Sequence, residues 1–100
     1  MESLAGKNAI ITGAGKGIGK AIAKALAAEG VNVGLIARSE KDLQEVASEV
    51  SKLGIKAFYA TADVADKSQI EIAISILKNS VYWLRNSISN YNTLPTKTIV

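Results

Sequence analysis

Between residues 8 and 78 the chain alternates two kinds of hydrophobic pattern. Compact apolar, β-branched runs at Asn8 to Thr12, Val31 to Ala37 and Ile55 to Ala60 read as strands. Between them, apolar positions recur every three or four residues, the period of a helix with one buried face. The first such stretch runs from Gly17 to Glu29, with Ile18, Ile22, Ala25 and Leu26 on one face and Lys20, Lys24 and Glu29 toward solvent. Gly30 supplies its stop. The second runs from Glu40 to Leu53, with Leu43, Val46, Val50 and Leu53 as its stripe, Ser39 as N-cap and Gly54 as stop. The third begins at Asp66, with Gln69 as a capping-box partner and Ile70, Ala73, Ile74 and Leu77 facing inward.

The resulting order is βαβαβα with short connections, and the strands are apolar almost throughout. Strands of that kind are buried on both faces, which predicts an α/β fold: a parallel three-stranded sheet reached through right-handed crossovers. It is half of a doubly wound Rossmann fold, with strand order 3-2-1. The edge of the first strand, normally covered by a fourth strand, is expected to be open and to invite self-association.

From Asn79 the sequence changes character. Asn, Ser and Thr make up 10 of the residues from 79 to 100, and no acid occurs there. The chain therefore divides into a half-domain over 1–78 and an irregular tail over 79–100, a break of the kind a frameshift or truncation near Lys78 produces. Val81, Trp83, Leu84 and Ile88 offer some apolar cover, while Pro95 and the asparagines favour turns or disorder over an edge strand at Thr98-Ile99-Val100.

Composition narrows the setting. Absence of cysteine excludes disulfides and thiolate metal sites and suits a reducing, cytoplasmic environment. Absence of histidine removes the commonest metal ligand and general base, so no metal site is expected. The start Met1-Glu2-Ser3 is unlike a signal peptide, and lysines interrupt every apolar stretch before it reaches membrane-spanning length. The net charge is +3, but acids and bases are interspersed rather than gathered into a basic stripe with aromatics. Neither nucleic acid nor membrane is an expected partner.

Candidate chemistry sits between the first strand and the first helix, where Gly13, Gly15, Gly17 and Gly19 occupy alternate positions. Backbone without side chains at a helix N-terminus offers free N–H groups and the positive end of the helix dipole, which suit a pyrophosphate. A glycine cluster also marks ordinary tight turns, so the strand before and helix after are what give it meaning. The segment Ala14 to Ala21 approaches a P-loop, but Ala14 replaces its first glycine and Ala21 brings no hydroxyl for magnesium.

The run Thr12-Gly13-Ala14-Gly15-Lys16-Gly17-Ile18-Gly19 resembles the T-G-x-x-x-G-I-G motif of the short-chain dehydrogenases/reductases. Leu4-Ala5-Gly6-Lys7 resembles that family's entry into its first strand, and Ala62-Asp63-Val64 its adenine-site segment. Over residues 1 to 78 the chain is most similar to 3-oxoacyl-acyl-carrier-protein reductases. The resemblance implies a dinucleotide cofactor held by Thr12, Gly13, Gly15, Lys16, Gly17, Ile18, Gly19, Arg38, Asp63 and Val64. Gly13 would make the tight turn, Gly17 admit the pyrophosphate, Gly19 allow close helix packing and Ile18 cover the nicotinamide side. Asp63 would accept from the adenine amino group, with Val64 against the ring, although a turn or capping role also suits an Asp there. A carboxylate ending the second strand would select a free ribose 2′-hydroxyl, but Ala37 stands there, followed by Arg38. With Lys16 in the glycine loop, two cations are available to a 2′-phosphate, so NADP(H) is favoured over NAD(H).

The family's catalytic Tyr-x-x-x-Lys pair has no counterpart. Tyr59, Tyr82 and Tyr91 are followed four residues on by Asp63, Asn86 and Pro95, and Ser87 and Ser89 match the catalytic serine only in type. These tyrosines read as tail packing or exposed residues. The implied reaction of an intact enzyme is NADPH-dependent carbonyl reduction, full-length relatives are expected to be homo-oligomers, and the 100-residue chain is expected to be inactive alone. A cofactor-binding module without chemistry and a non-functional fragment with an open sheet edge remain as alternatives.

Overall fold

The computed structural model describes residues 5–78 and 97–99. Three strands, β1 (Asn8–Thr12), β2 (Asn32–Ala37) and β3 (Ala57–Thr61), alternate with three helices, α1 (Gly17–Ala28), α2 (Glu40–Ser51) and α3 (Lys67–Lys78), and a short β4 (Lys97–Ile99) follows. All pairings are parallel and the order is β3-β2-β1-β4. The expected 3-2-1 arrangement is present, with one addition. β4 pairs with β1 through Ala9↔Lys97, Ile10↔Thr98 and Ile11↔Ile99. The β1 edge expected to be open is therefore occupied, and the sheet ends at β3 and β4 instead. A backbone edge between apolar strands is a strong template, and three residues suffice to use it despite the turn-forming sequence around them. Val81, Tyr82, Trp83, Leu84, Ser87, Ile88, Ser89, Tyr91 and Pro95 lie outside the described residues.

Alternation along the strands sorts the core into two layers. On one face Ile11, Val33 and Leu35 pack against Ala23 and Ala27 of α1 and Leu43, Val46 and Val50 of α2. On the other, Ile10, Ile36 and Ala60 pack against Ala73 and Leu77 of α3. Gly34 of β2 lets α3 come close, since a Cβ there would stand 3.1 Å from Leu77 Cδ1. At the amino ends of the strands, buried Asn32 donates through Nδ2 to Asn8 Oδ1 at 3.2 Å, and its Oδ1 accepts from the Lys56 N–H at 3.0 Å. This polar link fixes the relative register of the three strands without leaving a buried amide unpaired.

Burial on α1 differs from the periodic expectation. Ile18 is 79% exposed and Ala25 is also exposed; the buried face is Gly19, Ala23 and Ala27, flanked by half-buried Ile22 and Leu26. Small residues win that face because the helix lies close to the sheet, where a larger side chain would hold it off. Leu53, expected on the α2 stripe, falls beyond the end of that helix in the turn before Gly54 and is exposed. Tyr59 is not a surface or tail residue: it is half-buried on the α2 face of β3, and its hydroxyl accepts from Gln44 Nε2 at 3.2 Å.

Candidate functional site

The carboxyl ends of β1, β2 and β3 bring the predicted site residues to one end of the sheet, where ligands bind in open α/β folds. Thr12 closes β1 and is buried, and Gly13 then turns the chain with φ +66°. The Ala14 N–H donates to Ile36 O at 3.1 Å, which ties the loop to β2. Gly17, at φ +56°, opens α1, and open space lies where Cβ atoms of Gly13 and Gly17 would be. Gly19 is the reverse case: a Cβ there would collide with the Gly13 carbonyl oxygen. Only glycine lets the first turn of α1 sit on the loop in this way.

The α1 N-terminus is left open. Its N-cap, Lys16, makes no side-chain capping bond, and no acid lies in its first turn. Helix geometry gives the first N–H groups no intrahelical acceptor, so they remain donors aimed out of the loop together with the positive end of the dipole. A glycine-lined space in front of such donors fits the oxygens of a pyrophosphate and would be filled by any Cβ.

Two adjoining clefts extend from this point. One, of about 250 Å³, is lined by Gly13, Gly15, Lys16, Ala37, Arg38, Ser39 and Asp42. The other, of about 240 Å³, is lined by Arg38, Thr61, Ala62, Asp63 and Gln69. Arg38 belongs to both and stands between them. The structure thus groups the glycine loop, Lys16, Arg38 and Asp63, while Ile18 and Val64 lie exposed, Val64 at 56%.

Asp63 is held from three sides. Its N–H donates to Gln69 Oε1 at 2.9 Å, its Oδ1 accepts from the Ala65 N–H at 2.9 Å, and the preceding Ala62 N–H donates to Ala37 O at 2.9 Å. One carboxylate oxygen therefore performs the turn role that the sequence also allowed. Gln69, expected to complete a capping box with Asp66, does reach that residue, donating through Nε2 to Asp66 Oδ2 at 3.3 Å, but its Oε1 accepts from the Asp63 N–H while the Asp66 N–H donates to Asp63 O. Asp66 caps α3 by itself, accepting from the N–H groups of Ser68 and Gln69 at 3.0 and 3.2 Å.

Asp42 was not among the residues singled out from the sequence. Its Oδ2 lies 3.8 Å from Lys16 Nζ, and its Cβ stands 3.0 Å from the point a Gly15 Cβ would occupy. The signal that could have found it is its place three residues after the Ser39 N-cap, because neighbouring parallel strands deliver the first turns of α1 and α2 to the same end of the sheet. Among the described residues no group of acids suited to a metal is present, and no helix is long and apolar enough to cross a membrane.

Similarity to known proteins agrees with this arrangement. The short chain dehydrogenase family model matches residues 7–84. The chain is 38% identical over 94 residues to a very-long-chain 3-oxoacyl-CoA reductase of Meyerozyma guilliermondii, covering 90% of this chain and 28% of that protein. A 3-ketoacyl-ACP reductase of Sinorhizobium meliloti superimposes with a TM-score of 0.67 at 46% identity, over 71% of this chain and 28% of that one. L-sorbose reductase of Gluconobacter frateurii, solved with NADPH and L-sorbose, gives a TM-score of 0.74 at 33% identity, over 80% of this chain and 31% of that one. The chain therefore spans less than a third of the length of each of these relatives. With the family model matched over well more than half of its residues, the chain belongs to the short-chain dehydrogenases.

Proposed function

We propose that residues 5–78 form the adenine and pyrophosphate half of an NADP(H) site, the N-terminal part of a carbonyl reductase acting on 3-oxoacyl-type substrates. The uncapped α1 N-terminus behind a glycine loop carries this reading, because among the described residues no side chain caps its donors. The pyrophosphate would lie over Gly13, Gly15, Gly17 and the first turn of α1. Its adenine would lie between Arg38, Asp63 and Val64, with Asp63 Oδ2 toward the amino group. Lys16 and Arg38 would meet the 2′-phosphate, and Ala37 leaves space where a carboxylate would repel it. Exposed Ile18 would cover the nicotinamide side.

The bound nicotinamide would supply a hydride to a carbonyl carbon. The residues that would donate the proton are the family's Tyr-x-x-x-Lys pair, which this sequence lacks. The 100-residue chain should therefore bind cofactor without turnover.

Titration of the chain with NADPH and NADH tests the site itself. Binding of NADPH is expected to be tighter, and Arg38→Ala and Lys16→Ala should each reduce the preference by about tenfold or more, the range for a lost charge-assisted hydrogen bond. A preference unchanged by both substitutions would remove the 2′-phosphate assignment. The alternative of an interaction fragment depended on an open β1 edge, which β4 occupies.

A further inference from the structure

The cleft assigned to the 2′-phosphate holds two cations and also one anion. Asp42 lines it together with Lys16 and Arg38, and its carboxylate is half-buried, with 26% of the side chain exposed. As an acid in the first turn of α2 it suits the helix dipole, a duty that Glu40 shares. The capping bond at the start of α2 runs from the Asp42 N–H to Ser39 Oγ and uses backbone, not carboxylate. The only ion-pair partner of the carboxylate among the described residues is Lys16 at 3.8 Å, and that lysine is 84% exposed, so the pair is long and well solvated. Its position is nevertheless well defined, because Asp42 Cβ packs against Gly15 and Asp42 lies in the first turn of a capped helix.

Resting on the reading of this cleft as the 2′-phosphate site, we propose that Asp42 is a specificity-determining residue that weakens the preference for the phosphorylated dinucleotide. A phosphate entering the cleft must draw Lys16 away from Asp42 and then remain close to a like charge that is partly shielded from water. Both effects oppose the attraction of Lys16 and Arg38. A ligand with a free 2′-hydroxyl meets neither penalty. The residue thus narrows the gap between the two cofactors without touching the pyrophosphate cradle.

Adenosine 2′,5′-bisphosphate and adenosine 5′-monophosphate differ only in the group at issue. Calorimetric titration of both into the full chain, the Asp42→Asn variant and the Asp42→Ser variant gives the ratio of the two affinities as the readout. Both replacements suit the first turn of a helix, and far-UV circular dichroism checks that each folds. The ratio in favour of the bisphosphate should rise about tenfold in both variants, and the rise should shrink at high salt. A ratio that stays the same or falls while both ligands bind overturns the proposal. A rise indifferent to salt also overturns it, because repacking against Gly15 would then be the cause. If neither nucleotide binds the unaltered chain, the dinucleotide reading itself falls and the role of Asp42 falls with it.

Discussion

The N-termini of α1 and α2 share one cleft but are finished in opposite ways. The α2 end is closed by its own side chains: Ser39 Oγ accepts from the Asp42 N–H at 3.2 Å, and Glu40 and Asp42 place negative charge in the first turn. The α1 end has glycines, no capping side chain and no acid in its first turn. Both helices are 12 residues long and each packs its apolar face on the same side of the sheet. Length and packing therefore do not explain the difference. A helix start that satisfies itself contributes stability, whereas one that does not is free to satisfy an anion.

The largest effect is expected where the open end is built. Gly19→Val would drive a branched side chain into the Gly13 carbonyl, separating α1 from the loop at a cost of about 3 kcal/mol. Urea unfolding followed by circular dichroism should show a lowered midpoint, or no folded baseline at all. A midpoint like that of the unaltered chain would mean that close helix approach does not shape the loop.

Next come the caps. Ser39→Ala should cost about 1 kcal/mol by removing the side-chain acceptor at the α2 start, and Asp66→Ala about as much on α3, where one carboxylate oxygen accepts two N–H groups. Lys16→Ala occupies the equivalent position on α1 and should cost less than about 0.5 kcal/mol, since only an exposed ion pair is lost. Equal losses at Ser39 and Lys16 in urea titrations would erase the contrast between the two ends.

Much of this was legible in the sequence because it depends on local pattern. Ser39 as N-cap and Gly30 and Gly54 as helix stops are each decided within a few residues, and the two glycines show φ of +84° and +90°. Asp42 was legible only as a first-turn residue behind the Ser39 N-cap, since its contact with Lys16 joins residues on two elements and exists only once the strands are paired. The α1 face was misjudged for a related reason. Hydrophobicity favours Ile18, but the close approach of helix to sheet selects Gly19, Ala23 and Ala27. Gln69 had the right type for a capping box, yet the turn at Asp63 presented a better donor. The pairing of β4 depends on an edge that no local reading of Lys97–Ile99 contains.

The smallest expected effect concerns how an uncapped helix is kept in place. Lys20 and Lys24 of α1 reach Glu49 of α2, with Nζ atoms 3.6 and 2.9 Å from its two carboxylate oxygens. The Lys24 ammonium 2.9 Å away, helped by the charge of Lys20, holds the Glu49 carboxyl below the usual glutamate range against a smaller opposing effect of burial. A carboxyl with a lowered folded pKa binds its proton more readily in the unfolded chain. Its contribution is therefore complete at neutral pH and is lost as pH falls from the ordinary glutamate range through the lower folded value. Urea midpoints of the unaltered chain and Glu49→Gln should differ slightly at neutral pH and converge in acid, and high salt should close the gap at any pH. A difference that persists in acid would assign the effect to packing of the Glu49 side chain, leaving α1 held against α2 by its apolar contacts alone.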